Sequence, residues 1–223
     1  MAKLSILNKS IIVFTWYHTW DFFHDLIDDV IHINDLSHFQ NIDRISSKSL
    51  ILFEGGEDIS PELYEEKSRV LNQQYNRHRD FFEREMFLRA IKVKAPMLGI
   101  CRGSQFLTAM NGGKVVQHVN GHIQYHMIET FDDALLSVTS THHQMMNPFN
   151  LAHENYRLIA WSTPKQSDVY LNGDNEQVAM PVEPEIVWYP KTKCLCIQGH
   201  PEYLFKEDEF VIYSRKLIKQ YLL

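Results

Sequence analysis

One stretch constrains this chain more than any other: Pro96-Met97-Leu98-Gly99-Ile100-Cys101-Arg102-Gly103-Ser104-Gln105. A short apolar run enters Cys101, and Ser104 to Met110 leaves it with helical character until Asn111-Gly112-Gly113 stops it. Glycine stands two residues to either side of the cysteine. A side chain on so tight a strand-to-helix turn forces an unusual backbone conformation and crowds its neighbours, and glycine relieves both. The spacing is the thiol counterpart of the G-x-S-x-G elbow. It would place the Cys101 sulfur at a helix N-terminus, where unpaired N–H groups favour a thiolate, and the Arg102 N–H beside any oxyanion formed there. A lone cysteine between strand and helix is more often inert and buried. The paired glycines tip the reading toward a nucleophile.

The remaining chain repeats strand then helix. Ser10 to Phe14 reads as a first buried strand, and Ser49 to Phe53 as a second, ending in Glu54-Gly55-Gly56. Arg79 to Lys94 carries Phe82, Met86, Phe87, Ala90 and Ile91 on one helical face. Ile186 to Tyr189 and Cys194 to Gln198 form a strand pair around a turn at Pro190 to Lys193, and Glu207 to Leu223 closes the chain as a helix. Such alternation predicts an α/β domain with a mostly parallel sheet, here one domain over residues 1–223. Its site should gather at the carboxyl ends of the strands.

Three further segments fall at predicted strand ends. His200-Pro201-Glu202 offers an imidazole with a carboxylate two residues on; in extended chain the two would share a side, and Glu202 would orient the ring toward Cys101. Taken alone, His-Pro-Glu is more often a surface turn. Gly55-Gly56-Glu57-Asp58 can turn N–H groups inward, giving a second oxyanion donor beside Arg102, although a glycine pair is commonly an ordinary turn. Ser140-Thr141-His142-His143-Gln144 is rich in groups that grip an amino acid, and equally fits a solvated loop.

Composition removes other classes. A formal net charge of −6 argues against non-specific binding to nucleic acid or an anionic membrane surface. No apolar run nears the roughly 20 residues that span a bilayer, and Ser10 to Phe14 is too short for a secretory core. Three cysteines make no disulfide framework and suit a reduced, cytoplasmic chain. Cys194 and Cys196 read as buried thiols. His118, His122 and His126 recur every four residues, but Gly121 argues for strand and loop, so neither a metal site nor a cofactor is expected. The aromatic stretch Phe14 to Phe23 reads as core that could also wall a cleft, and Glu62-Glu65-Glu66-Lys67 as a solvated helix face.

Together these segments resemble the class I glutamine amidotransferase superfamily, including the γ-glutamyl hydrolases of peptidase family C26. The likeness runs from about Ser49 to Tyr203, through Gly55 to Tyr64, Arg79-Asp80 with Phe82-Glu83, Gly99 to Gln105, Gly112-Gly113 and Gln198 to Glu202. It implies a three-layer αβα sandwich and a triad of Cys101, His200 and Glu202. It also implies oxyanion donors at Gly56 and Arg102 and a γ-glutamyl pocket of Gly55, Gln105, His142 and His143. Arg102 after the cysteine, with Asp58-Ile59-Ser60-Pro61, is more like the stand-alone hydrolases; the first 48 residues match poorly. The implied reaction cleaves a γ-glutamyl amide through a thioester. The expected role is a glutaminase feeding ammonia to a separate synthetase. A free-standing hydrolase of γ-glutamyl amines or peptides is the alternative, and a non-catalytic binding protein a third reading.

Overall fold

The computed structural model describes residues 10–14, 20–23, 26–27, 29–32, 41–68 and 73–223. In chain order the elements are β1 (Ser10–Phe14), α1 (Trp20–Phe23), β2 (Asp29–His32), β3 (Leu50–Phe53), α2 (Arg77–Val93), β4 (Met97–Ile100), α3 (Arg102–Met110), β5 (Lys114–Val116), β6 (His118–Val119), β7 (Tyr125–Thr130), β8 (Leu135–Thr139), β9 (Met145–Asn147), β10 (Arg157–Ser162), β11 (Tyr170–Leu171), β12 (Pro184–Tyr189), β13 (Cys194–Ile197) and α4 (Glu209–Tyr221). Nine strands form one sheet in the order β2-β1-β3-β4-β13-β12-β10-β7-β8; β5 pairs with β9 and β6 with β11 as small ribbons.

Half of the sheet is parallel. β2, β1, β3, β4 and β13 run together, and β12, β10, β7 and β8 continue as an antiparallel wing. The predicted strand pair near the C-terminus is β12 and β13, with Ile186 opposite Ile197 and Tyr189 opposite Cys194. Period-two alternation sorts the central side chains to two faces. Leu50, Leu52, Leu195 and Ile197 point into one core with Phe210, Val211 and Leu217 of α4. Ile51, Phe53, Cys194 and Cys196 point into the other, with Phe82 and Met86 of α2 and Phe106 of α3. Helices on both faces of the sheet give the three-layer αβα arrangement. The two C-terminal cysteines are free and buried as expected, and burial pushes the Cys194 thiol up to about 12.

α2 departs from the simple amphipathic reading. Asn76 caps it by accepting the Arg79 N–H. Phe82, Met86, Phe87 and Ala90 are buried as predicted, while Ile91 is 38% exposed. The same inward side also buries Arg79, Asp80 and Glu83. These charges lie inside because they pair with one another and with Arg102. Glu62 to Lys67 is a 3-10 turn (Pro61–Tyr64) and loop rather than a helix face, and Glu66 accepts from Gln117 and the Gly173 N–H. Trp16 and Tyr17 lie outside the described residues, whereas Phe22 and Phe23 are buried core. Among the described residues no helix is long and apolar enough to cross a membrane.

Candidate active site

β4 delivers Cys101 to the carboxyl edge of the parallel strands, and α3 begins at the next residue. Cys101 has φ 49° and ψ −109°, a sparsely populated conformation for a residue with a Cβ that typically costs about 1–3 kcal/mol. The flanking glycines are there for space. A Cβ on Gly103 would lie 1.9 Å from the Phe53 carbonyl oxygen, and one on Gly99 would lie 2.5 Å from the Gly103 carbonyl oxygen. Strand β4, its neighbour β3 and helix α3 thus touch backbone to backbone. The Cys101 carbonyl accepts from the Ser104 and Gln105 N–H groups. The Arg102 N–H belongs to the first helical turn, which has no acceptor within the helix.

His200 is buried and lies beside that turn. Its Nδ1 is 2.7 Å from Glu202 Oε1 and its Nε2 is 3.0 Å from Thr141 Oγ1. Burial opposes protonation of the ring, but the nearby Cys101 and the Glu202 carboxylate outweigh that and lift it to about 10. The ring is thus poised as an imidazolium beside the sulfur. Pro201-Glu202-Tyr203 forms a 3-10 turn, so Glu202 meets His200 by a tight turn rather than by the extended chain the sequence suggested. Tyr203 lies flat on the imidazole, centroids 4.3 Å apart and planes 3° apart.

Gly55 packs against both groups: a Cβ there would sit 2.9 Å from His200 Cε1 and 3.7 Å from Cys101 Cβ. Gly56 has φ +145°, and a Cβ on it would lie 2.3 Å from Arg79 Nη1. Arg79 donates to the Glu54 carbonyl at 2.9 Å, the Gly55 carbonyl at 3.0 Å and Glu57 Oε2 at 3.2 Å, and its Nε donates to Glu83 Oε1 at 2.8 Å. Glu83 also binds Arg102, which donates in turn to Asp80 Oδ1 at 2.6 Å. Asp80 accepts the Ser60 N–H. One buried ion network therefore fastens the loop after β3 to the start of α3. Sequence reading assigned Arg79, Asp80 and Glu83 no such part, although three charges on the inward side of α2 were the signal.

Cys101, His200, Tyr203, Gly56, Glu57 and Arg79 line a cleft of about 690 Å³ with Gln105, Gln74, Asn76, Asp58 and the segment Thr141 to Gln144. The candidate pocket residues do not all face it in the same way. Gln105 Nε2 donates to the Gln144 carbonyl at 2.8 Å. His143 is half-buried with Nε2 2.9 Å from Asp58 Oδ1, and that hydrogen bond raises its pKa against the pull of burial. His142 is almost wholly buried and stacks on His122; burial first, then the neighbouring His122, keeps it neutral. Gln144 lines the cleft with neither side-chain amide atom hydrogen-bonded, a stronger candidate for ligand contact than the sequence indicated. His118 stands apart, its ring near His143, whereas His122 and His126 meet over β7 and β12 in a second polar cluster.

The sequence profile of the peptidase C26 family matches residues 38–150, slightly more than half of the chain. The chain belongs to the peptidase C26 family. Its glutamine amidotransferase-like kinship is borne out by relatives. It is 27% identical over 195 residues to the glutamine amidotransferase-like protein YvdE of Lactococcus lactis, covering 75% of this chain and 79% of YvdE. It is 30% identical over 119 residues to the protein NtpR of Enterococcus hirae, covering 43% of this chain. The match spans half the length of NtpR. Among solved structures, the glutaminase domain of Trypanosoma brucei CTPS with bound acivicin superposes with a TM-score of 0.60 at 10% identity, over 95% of this chain and 92% of that one. A glutamine amidotransferase from Thermotoga maritima does so with a TM-score of 0.54 at 16% identity, over 96% and 85%. These likenesses establish the α/β fold of a C26 chain.

Proposed function

We propose that this C26 protein, acting as a single domain over residues 1–223, hydrolyses γ-glutamyl amide bonds through a thioester on Cys101. The observation that carries the reading is the juxtaposition of a strained Cys101 at the start of α3 with a His200 ring held by Glu202. The thiolate attacks the side-chain amide carbon. The C–N bond then breaks as His200 gives its proton to the leaving nitrogen, so ammonia or an amine departs. His200 next takes a proton from water, the hydroxide attacks the thioester, and glutamate leaves as the thiol is restored.

The oxyanion of each tetrahedral intermediate would be met by the Gly56 and Arg102 N–H groups. Support comes from Arg79. A trans peptide points its C=O and N–H in opposite directions. With the Gly55 carbonyl held by Arg79, the Gly56 N–H is turned away from Arg79, and Gly56 lines the same cleft as Cys101. The donor is then set in the chain by itself. That favours a free-standing hydrolase of a substituted γ-glutamyl amide. In the second reading the protein is a glutaminase that passes ammonia to a separate synthetase. Kinship with YvdE, named for glutamine amidotransferases, speaks for this.

Product release by the chain alone separates them. Rapid cleavage of a γ-glutamyl anilide or γ-glutamyl amine, with little glutamine turnover, is expected. Slow Cys101-dependent release of ammonia from glutamine, with no cleavage of substituted amides, would instead indicate a subunit awaiting its synthetase.

A further inference from the structure

Behind the cleft wall lies a buried cluster that the triad chemistry does not use. His122, His142 and Glu185 each offer a ligand atom, and these atoms lie within 4.8 Å of one another. His122 and Glu185 are at most 1% exposed, and His142 is 4% exposed. No ring nitrogen of His122 or His142 makes a well-formed hydrogen bond, His122 Nε2 having only Glu183 Oε2 at 3.4 Å, and Glu185 Oε2 has no partner. Buried polar atoms are normally satisfied, so three side chains with orphaned atoms converging on one point indicate a ligand between them. We propose that this cluster binds a divalent metal ion of the zinc type.

The surroundings choose which atoms would bind. Glu185 Oε1 is already taken, by His126 Nε2 at 2.9 Å and by the Ser162 hydroxyl at 2.8 Å, which leaves Oε2 for the metal. His122 Nε2 faces Glu183 Oε2 at 3.4 Å, and its Nδ1 lies on the Glu185 side, 3.8 Å from Oε1. Nδ1 is therefore the ligating nitrogen, with Glu183 orienting the ring from behind, as carboxylates do for metal-bound histidines. Two imidazoles and a carboxylate are a zinc donor set. Metal–ligand bonds of about 2.0–2.2 Å put tetrahedral donors roughly 3.3–3.5 Å apart, so the cluster would close by about an ångström on binding. Hydroxyl and carbonyl ligands for calcium or magnesium are not what converges here.

The ion would join three segments: the loop holding His122, strand β12 at Glu185, and the loop holding His142. The His142 N–H already donates to the His122 carbonyl at 3.1 Å. The residue before His142 is Thr141, whose hydroxyl touches His200. The metal thus acts as a clamp on the loop that contacts the catalytic imidazole, without itself touching the reacting atoms.

The test uses the full chain carrying Cys101→Ala, so that the thiolate cannot supply a competing ligand, after dialysis against a chelator. Zn²⁺ titrated by calorimetry should bind at one equivalent per chain, and Co²⁺ in its place should give the intense visible bands of a four-coordinate site. Glu183→Gln should weaken Zn²⁺ about 10–100-fold while leaving one equivalent, and His122→Asn should remove it. No saturable uptake by the Cys101→Ala chain would overturn the proposal. So would uptake unchanged by His122→Asn, which would put the ion elsewhere. Neither readout depends on turnover, so this proposal and the hydrolase reading can fail separately.

Discussion

Replacing Arg79 by lysine isolates the contribution of backbone orientation at the proposed oxyanion hole. Arg79 uses its planar fork to hold the Glu54 and Gly55 carbonyls at 2.9 and 3.0 Å while its Nε reaches Glu83 at 2.8 Å. A lysine ammonium keeps the charge beside Glu83 but cannot span both carbonyls from one point. Removing a partner from a buried pair costs about 3–5 kcal/mol; with the charge retained, we expect about 1–3 kcal/mol of destabilisation, and a folded protein. The catalytic effect should be larger than that suggests. If the Gly56 N–H loses its orientation, up to the full value of one oxyanion donor is lost, about 10²–10³ in kcat or ~2.7–4 kcal/mol. KM should change little, because the donor acts on the intermediate rather than on the bound amide. The assay is steady-state hydrolysis of a chromogenic γ-glutamyl anilide. Urea unfolding checks the fold, and the rate of Cys101 alkylation checks that the nucleophile is intact. A folded Arg79→Lys variant with kcat within about twofold of the parent would refute the argument that Arg79 sets this peptide.

Other substitutions test separate links. Cys101→Ala should abolish turnover while leaving a folded chain, since alanine keeps the Cβ that the φ of 49° already accommodates; adding His200→Ala should cost nothing further in kcat, because the two act as a unit. The folded-state pKa of His200 is raised to about 10 from an ordinary 6.5. Its protonation therefore contributes stability that is full below pH about 6.5 and lost as pH climbs toward 10. In the Cys101→Ala chain, denaturant unfolding should show this alkaline loss reduced. An unchanged profile would mean that the sulfur does not hold the imidazolium. Gly103→Ala, which would bring a Cβ to 1.9 Å from the Phe53 carbonyl, should destabilise by about 3 kcal/mol or more or prevent folding, measured by urea denaturation. Gln144→Leu should raise KM severalfold while leaving Cys101 alkylation unchanged, as expected if its unpaired amide grips substrate.

The parts of the fold legible in the sequence were those with a short-range signature. The elbow could be read because its glycines answer to a steric demand within five residues, and β3, β4, β13, α3 and α4 because their apolar patterns are local. The antiparallel wing was less visible. β10 and β12 pair with bulges, and β7 carries polar and apolar residues that face solvent on one side, with Tyr125 66% exposed. At the site, His200 and Glu202 could be paired from their spacing, but the 3-10 turn that brings them together depends on Pro201 and the chain after it. The Arg79–Glu83–Arg102–Asp80 network was only hinted at by the charges on the inward side of α2, because its links to Arg102 join residues about twenty apart through burial. His122, His142 and Glu185 were out of reach, because they come from three loops and strands. The recurrence of His118, His122 and His126 did not single out His142 or Glu185, and Gly121 argued against a metal reading of it.

The central claim is a covalent γ-glutamyl intermediate on Cys101, and the most direct measurement is its capture. The purified chain would be mixed with a γ-glutamyl amide, quenched in acid within the first turnover, and examined by intact-protein and peptide mass spectrometry. The account predicts one added glutamyl group per chain, located on the peptide that contains Cys101 and absent from Cys101→Ala. Turnover without any such adduct, or an adduct and turnover that persist in Cys101→Ala, would contradict it.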